Sequence, residues 1–390
     1  MGKKERVEAL RDEAVAIRRD LHRHPELGFQ ETRTSGIVAD FLNDLGITVK
    51  TGIGRTGVVG RLDGSSGGRT VLVRVDIDAL PIQEENETDY ASTVPGVMHA
   101  CGHDGHTTIG LMAAKLLTEA PEELPGTVLF AFQPAEEALG GAQAMLDDGL
   151  LTDPEPDLAL AVHLWNQAPA GKVVVGSGPV LASADTFRIV VRGRGGHGAV
   201  PHLSTDVVTA ACQIVVAFQT IVSRSVDAMA SAVLSVGQIH AGQAVNILPE
   251  RAEVSGTIRT FETPVRDLVV RRMREIGSGI ASALEVEFEM QVDSSVPPTV
   301  NDPEVAAQVK QVAVDALGRE NVLPDHRTMA SEDMSLVLAR VPGCYVFLGS
   351  AGPEGQEAFP HHHPRFDFDE RALLIGAELV ARSVIRCCEG

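Results

Sequence analysis

The 390-residue sequence predicts an α/β protein: a mostly parallel sheet flanked by helices, interrupted by an inserted ferredoxin-like domain of β-α-β-β-α-β order. Three observations carry this. Amphipathic helical stretches alternate with short apolar strands up to about residue 180, the order of elements changes between 182 and 292, and the alternation resumes after VPPTVND. A chain of this length also exceeds the size at which single hydrophobic cores usually stop growing, so two domains are expected: residues 1–181 with 293–390, and residues 182–292.

The first element is an amphipathic helix over roughly 4–23. Strands follow at VVGRLDG and TVLVRVD, then a helix of small residues, TTIGLMAAKLLTEA, and strands at TVLFAFQ and LALAVHL. Such alternation implies a sheet covered by helices on both faces. The insert reads as strand DTFRIVVRGR, helix DVVTAACQIVVAFQTIVS, strands ASAVLSVGQIH and ERAEVSGTIRT, helix VRDLVVRRMREIGSGIASAL and strand EVEFEMQV. Beyond it a helix (PEVAAQVKQVAVDALG), a strand (CYVFLGS) and a final helix from about Asp369 return to the first domain. Internal repeats are not visible.

Composition narrows the class. A hydrophobic content of 44% suits a globular fold, and charges or histidines interrupt runs such as VLVRVDIDAL and ALAVHLW well short of the ~20 residues a spanning helix needs. The N-terminus has a charged start without a following apolar block, so a cytoplasmic location is expected. Five cysteines, an odd number without regular spacing, point to reduced thiols. With 53 acidic against 33 basic residues the net charge is −20, which repels phosphate backbones and acidic membranes; neither nucleic acid nor membrane is an expected partner.

The chemistry-bearing residues fall just after the strands, where open α/β sheets bind ligands. The segment MHACGHDGHTT crowds His99, Cys101, His103, Asp104 and His106 at the mouth of a helix; imidazole, thiolate and carboxylate are the common ligands of zinc and related cations. Gly102 and Gly105 let the backbone bend around an ion. In FQPAEE, of the adjacent carboxylates Glu136 and Glu137, one can bind metal while its neighbour acts as general base. His163 closes the apolar strand ALAVHLW and by residue type alone suits a core position as well as a ligand. His361, His362 and His363 precede PRFDFDE. Asp76-x-Asp78 ends TVLVRVD, either orienting a metal-bound histidine or merely closing the strand before Pro81. HRHPELGFQE reads equally as a substrate-side loop or a helix exit. Several segments of soft and hard ligands, each at a strand end or adjoining loop, form the pattern a two-metal hydrolase needs.

In order along nearly the whole chain, HRHPELGFQE, RVDIDALPIQE, MHACGHDGHTT, FQPAEE, GHGAVPH, NILPE, SEDM and HHHPRFDFDE resemble the motifs of the aminoacylase and carboxypeptidase type of two-metal peptidases. The nearest likeness is to its amidohydrolase branch, with hippurate hydrolases, N-acyl-amino-acid deacylases and auxin-conjugate hydrolases; MHACGHDGH together with FQPAEE is the specific part. The resemblance implies two divalent cations, zinc or manganese with cobalt or nickel also admitted, held by Cys101, His103, Glu137, His163 and His362, the histidine two places before Pro364. It implies Glu136 as general base and Asp78 as the aspartate behind the ligands, with Asp76 where relatives carry a histidine ligand. His197 would reach the active site of a partner subunit and stabilise the oxyanion, while Asn246 and Arg259 would hold the substrate's carboxylate. The implied function is hydrolysis of small N-acyl amino acids to a carboxylic acid and an amino acid, by a homodimer. A carboxypeptidase or aminopeptidase acting on short peptides with the same metal centre is the alternative.

Overall fold

The structure, a computed structural model, describes residues 3–65, 67–137, 140–352 and 358–389. The chain divides into two compact units, one of Met1–Val180, Thr299–Arg327 and Asp333–Gly390, the other of Leu181–Pro298 with Thr328–Glu332.

The first unit is built on a seven-stranded sheet. Its centre is parallel, in the order Thr127–Gln133, Thr70–Asp76, Leu158–Pro169 and Gly343–Ala351. Antiparallel strands close its edges, Gly57–Asp63 and Thr48–Ile53 on one side and Val173–Val174 on the other. Successive side chains of a strand point to opposite faces, and here that alternation sorts core from chemistry. Val71, Val73 and Val75, with Phe130, Phe132, Leu158, Leu160, Val346 and Leu348, belong to the main apolar cluster together with residues of the helices His103–Thr118 and Arg371–Glu389. The intervening positions Arg74, Asp76, Gln133, His163, Tyr345 and Phe347 lie outside that cluster, and all are buried.

Two elements differ from the sequence expectation. The N-terminal stretch forms two helices, Lys3–Ala9 and Arg11–Arg23, with the buried Leu10 at the turn between them. The helix expected from Thr107 starts four residues earlier, at His103.

The second unit carries Ala184–Arg192, Val207–Arg224, Ala232–Ala241, Arg251–Thr260, Thr263–Ala283 and Glu287–Val296. Its four strands form an antiparallel sheet in the order Ala232–Ala241, Arg251–Thr260, Ala184–Arg192, Glu287–Val296, the ferredoxin-like arrangement. The last strand runs four residues past Val292 because its ladder with Ala184–Arg192 continues through a register shift at Ser294/Val296. Asp206 caps the first helix by accepting from Thr209 N at 2.9 Å. That helix, Val207–Arg224, is long and apolar enough by length and composition to cross a membrane; Ala210, Ile214, Phe218 and Ile221 on one face pack into the unit's own core.

Candidate metal centre

The first unit gathers the candidate ligands from five segments. Asp76 and Asp78 leave the carboxyl end of Thr70–Asp76, and Glu136 and Glu137 follow Thr127–Gln133. His103 opens its helix behind Gly102, whose φ of +86° turns the chain sharply after Cys101. His163 does not close its strand, as the apolar run suggests; it lies inside Leu158–Pro169. The neighbouring Thr70–Asp76 pairs with that strand only as far as Arg74 opposite Ala161. One residue past His163, side chains take up the backbone instead: Leu164 N donates to His106 Nε2 at 2.8 Å, and His361 Nε2 lies 2.9 Å from Leu164 O.

Hydrogen bonds decide which ring nitrogens are available. His103 Nδ1 donates to the Asp78 carbonyl at 2.9 Å and to Asp78 Oδ1 at 3.2 Å, so Nε2 is the nitrogen that carries the lone pair once the ring is neutral, and that atom is buried without a partner. His163 Nδ1 donates to Leu164 O at 2.6 Å, which leaves Nε2 beside Cys101 Sγ at 3.6 Å. His106 clusters with Asp76, His103 and His163, yet both its nitrogens are committed, Nδ1 to Asp76 Oδ1 and Nε2 to Leu164 N. It braces the site and has no lone pair left to offer.

The three C-terminal histidines separate by what their rings meet. His361 gives Nε2 to Leu164 O and stacks on Trp165 with ring centroids 5.3 Å apart. The Nδ1 of His363 accepts from Arg365 N at 3.0 Å, and its ring lies on Phe359. His362 is the one whose Nε2 comes within 3.1 Å of Glu137 Oε1, and its backbone N–H bonds to Ala100 O at 2.8 Å, next to Cys101. It adopts a φ of +66°, a conformation that non-glycine residues rarely take. Cys101, Glu137 and His362 thus form one group of donor atoms within 4.8 Å of one another, and His103, Glu136 and Glu137 a second, with Glu137 common to both.

Their electrostatics call for a cation. Burial opposes protonation of His103, but Asp76, Asp78 and Glu137 outweigh it and hold the imidazole at about 10. Burial, then the Glu137 and Glu136 carboxylates, push the Cys101 thiol well above its ordinary range. His163 is held well below the usual histidine range by burial and by the facing His106 and His361, so it stays a neutral donor. The donor set of a thiol, three imidazoles and a carboxylate, with the buried Nε2 of His103 lacking a hydrogen-bond partner and Glu137 Oε1 facing His362 Nε2 at 3.1 Å, fits divalent metal. Asp78 stands behind two of these donors, taking the His103 proton on one oxygen and Glu137 N on the other at 3.0 Å.

The model of peptidase family M20/M25/M40 matches residues 72–386. The chain belongs to that family. It is 38% identical over 375–381 aligned positions to relatives that include the hippurate hydrolase of Campylobacter jejuni, with 97% of each chain covered in that case. It is 37% identical to thermostable carboxypeptidase 1 of Saccharolobus solfataricus, covering 95% of this chain and 94% of that one. Among solved structures, a dinuclear metal binding peptidase of the M20 family from Bacillus subtilis superposes with a TM-score of 0.87 at 34% identity, covering 98% of this chain and 99% of the other.

As a member of the M20/M25/M40 family the protein is a hydrolase of amide or peptide bonds. Around its candidate centre lies a buried network that the sequence left unread. Arg74 donates to Asp76 Oδ2 at 2.6 Å, to Gln133 Oε1 at 2.8 Å and to Asp333 Oδ1 at 2.8 Å. Burial opposes ionisation of Asp76, yet His103, His106 and Arg74 hold its carboxyl well below the usual range. Position two before Asp78 is therefore occupied by a carboxylate already engaged by a guanidinium and an imidazole. The SEDM segment was the signal for Asp333, and period-two alternation in TVLVRVD the signal for Arg74.

His197, Asn246 and Arg259 belong to the second unit. His197 pairs opposite Ile247 in a short antiparallel ladder, and Gly198 N bonds to Asn246 O at 2.9 Å, so the two side chains arise side by side on an exposed surface. Ala199 N donates to His197 Nδ1 at 3.1 Å, which puts the proton of the neutral ring on Nε2. Arg259, on Arg251–Thr260, is half-buried, held below its ordinary range by desolvation, and makes no ion pair among the described residues.

Proposed function

We propose that this protein hydrolyses the amide bond of N-acyl amino acids, using two divalent cations held by Cys101, His103, Glu137, His163 and His362. The observation that carries this reading is the buried Nε2 of His103, which has no hydrogen-bond partner and lies in one group of ligand-capable atoms with the carboxylates of Glu136 and Glu137. Bound cations would polarise the scissile carbonyl and bring the pKa of water from 15.7 toward roughly 7. Glu136 takes the proton of the attacking water and delivers it to the leaving amine. His197, with its proton on Nε2, is a donor for the oxyanion in the active site of a partner subunit, a role worth roughly 2.7–4 kcal/mol in comparable sites. Arg259 supplies a guanidinium for the substrate's free carboxylate, and Asn246 a second polar group for it. The thiol among the ligands favours zinc, while the imidazole and carboxylate donors also suit manganese.

The second unit is read as a lid and dimerisation domain, and the protein as a cytoplasmic homodimer. Support for self-association comes from the exposed apolar side chains Val208 and Val216 on the outer face of Val207–Arg224, and from the unpaired edge of Ala232–Ala241 with exposed Ile239. Support for a reducing compartment is that all five cysteines are free thiols.

The test is Glu136→Gln, which should retain two metal equivalents by elemental analysis and lose nearly all turnover; activity close to wild type sinks the assignment of the base. A second reading, a carboxypeptidase on short peptides, is favoured by the likeness to thermostable carboxypeptidase 1. Profiling N-acetyl and N-benzoyl amino acids against dipeptides, with zinc or manganese added, separates the two.

A further inference from the structure

The segment HRHPELGFQE, which the proposed chemistry does not use, touches three of the segments that surround the candidate centre. His22 Nδ1 meets Asp104 Oδ2 at 2.8 Å, next to His103. Ala79 N donates to Glu26 O at 2.8 Å, next to Asp78. Ala135 N donates to Glu31 Oε1 at 2.9 Å, immediately before Glu136. The last contact is set apart by its backbone, because Ala135 has φ +52°, the left-handed region that an L residue with a Cβ enters at a cost.

Glu31 is fully buried, and its second oxygen accepts from Thr56 Oγ1 at 2.6 Å. No lysine or arginine is paired with it among the described residues, so this carboxylate is kept in the interior by neutral donors. On the far side of the turn Gly141 N donates to Ala135 O at 3.0 Å, and Glu137 N to Asp78 Oδ2 at 3.0 Å. A Cβ on Gly141 would fall 1.6 Å from Pro134 O, so the return of the chain is tightly fixed as well. The backbone that carries Glu136 is held before it by Glu31 and after it by Asp78.

We propose that Glu31 is a positioning residue for Glu136: its buried carboxylate holds Ala135 in the left-handed conformation that aims the following side chain. The proposal rests on the reading of Glu136 as the base. Without Glu31 the turn relaxes toward ordinary φ, and the ligands His103 and Glu137 keep their own support from Asp78. The effect therefore falls on the rate of the chemical step and spares metal and substrate binding.

Glu31→Ala, purified folded with two metal equivalents, should lose at least about tenfold in kcat with KM within about threefold, as expected for misaligning a reacting group. Adding Ala135→Gly, which removes the penalty on positive φ, should recover roughly fivefold or more of that loss. Glu31→Gln keeps an oxygen for Ala135 N and a donor for Thr56 Oγ1, and its kcat should stay within about threefold of wild type. A kcat of Glu31→Ala within threefold of wild type, or a loss that Ala135→Gly leaves unrelieved, overturns the proposal. So does a loss that tracks departure of metal. If Glu31→Ala does not fold, Glu31→Asp, which withdraws the carboxylate by one methylene, is measured in its place with the same expectations. Glu136→Gln run alongside separates the two readings: full activity there removes the base itself, whereas an inactive Glu136→Gln beside a fully active Glu31→Ala removes only the positioning role.

Discussion

Replacing Asp78 by asparagine changes neither volume nor shape, yet it removes one acceptor from a site where both neighbours donate. Asp78 Oδ1 faces His103 Nδ1 at 3.2 Å and Oδ2 faces Glu137 N at 3.0 Å. An amide can accept from one of these but must turn its NH2 toward the other, setting two donors against each other. His103 has a second acceptor in the Asp78 carbonyl at 2.9 Å, so the amide oxygen serves best at Glu137 or is lost to it. Losing one charge-assisted hydrogen bond in a buried site costs about 1.5–3 kcal/mol. Spread over the proposed ligands His103 and Glu137, that corresponds to a metal affinity about 10–100-fold weaker. The measurement is a titration of the apo-protein with zinc in a chelator buffer, read by calorimetry and by recovery of activity. Turnover should return in part at saturating metal, because Glu136 is untouched. A dissociation constant within about threefold of wild type would refute the reasoning, since it would mean that Asp78 does not hold the donors it touches.

Two further outcomes follow from the buried charges. His103 is held at about 10 and the Cys101 thiol is raised above its usual range, so each carries a proton at neutral pH that metal must displace. Apparent metal affinity should therefore rise with pH, by about one to two log units per pH unit across neutrality, and weaken on acidification; a pH-independent constant contradicts the assignment of both ligands. Arg18 is fully buried against Asp104 at 2.9 Å and Asp367 at 2.7 Å, between the rings of Tyr90 and Phe368. Arg18→Met should destabilise the fold by about 3–5 kcal/mol in urea unfolding, because it removes the buried guanidinium between two carboxylates and leaves Asp104 to His22 and Asp367 to Tyr90; a loss below about 1 kcal/mol would mean that those donors and solvent suffice.

Much of the fold was legible in the chain because its strongest signals are local. Alternating apolar positions in TVLVRVD and TVLFAFQ mark strands, and the β-α-β-β-α-β order of the insert is visible element by element. Edge pairing was not legible, since nothing in Thr48–Ile53 or Val173–Val174 fixes the direction of a neighbour far away in sequence. His163 was misread as a strand end because an apolar run ends there, while the backbone continues to Pro169 on contacts from other segments.

By itself the sequence determined which residues can do metal chemistry and that they cluster after strands: Cys101 and His103 in one segment, Glu136 and Glu137 in another, and a histidine triplet near the end. Tertiary structure decided which of their atoms remain available. His106 has the same chemistry as His103, but Asp76 and Leu164 occupy both its nitrogens, and of the neighbours His361 and His362 the first turns Nε2 to Leu164 O while the second turns it to Glu137. Only folding brings the partners of His106 and His361 within reach, across separations of 30 to 197 residues. A ring nitrogen can hold one proton or one lone pair, so the partner chosen by the fold sets what is left for a metal.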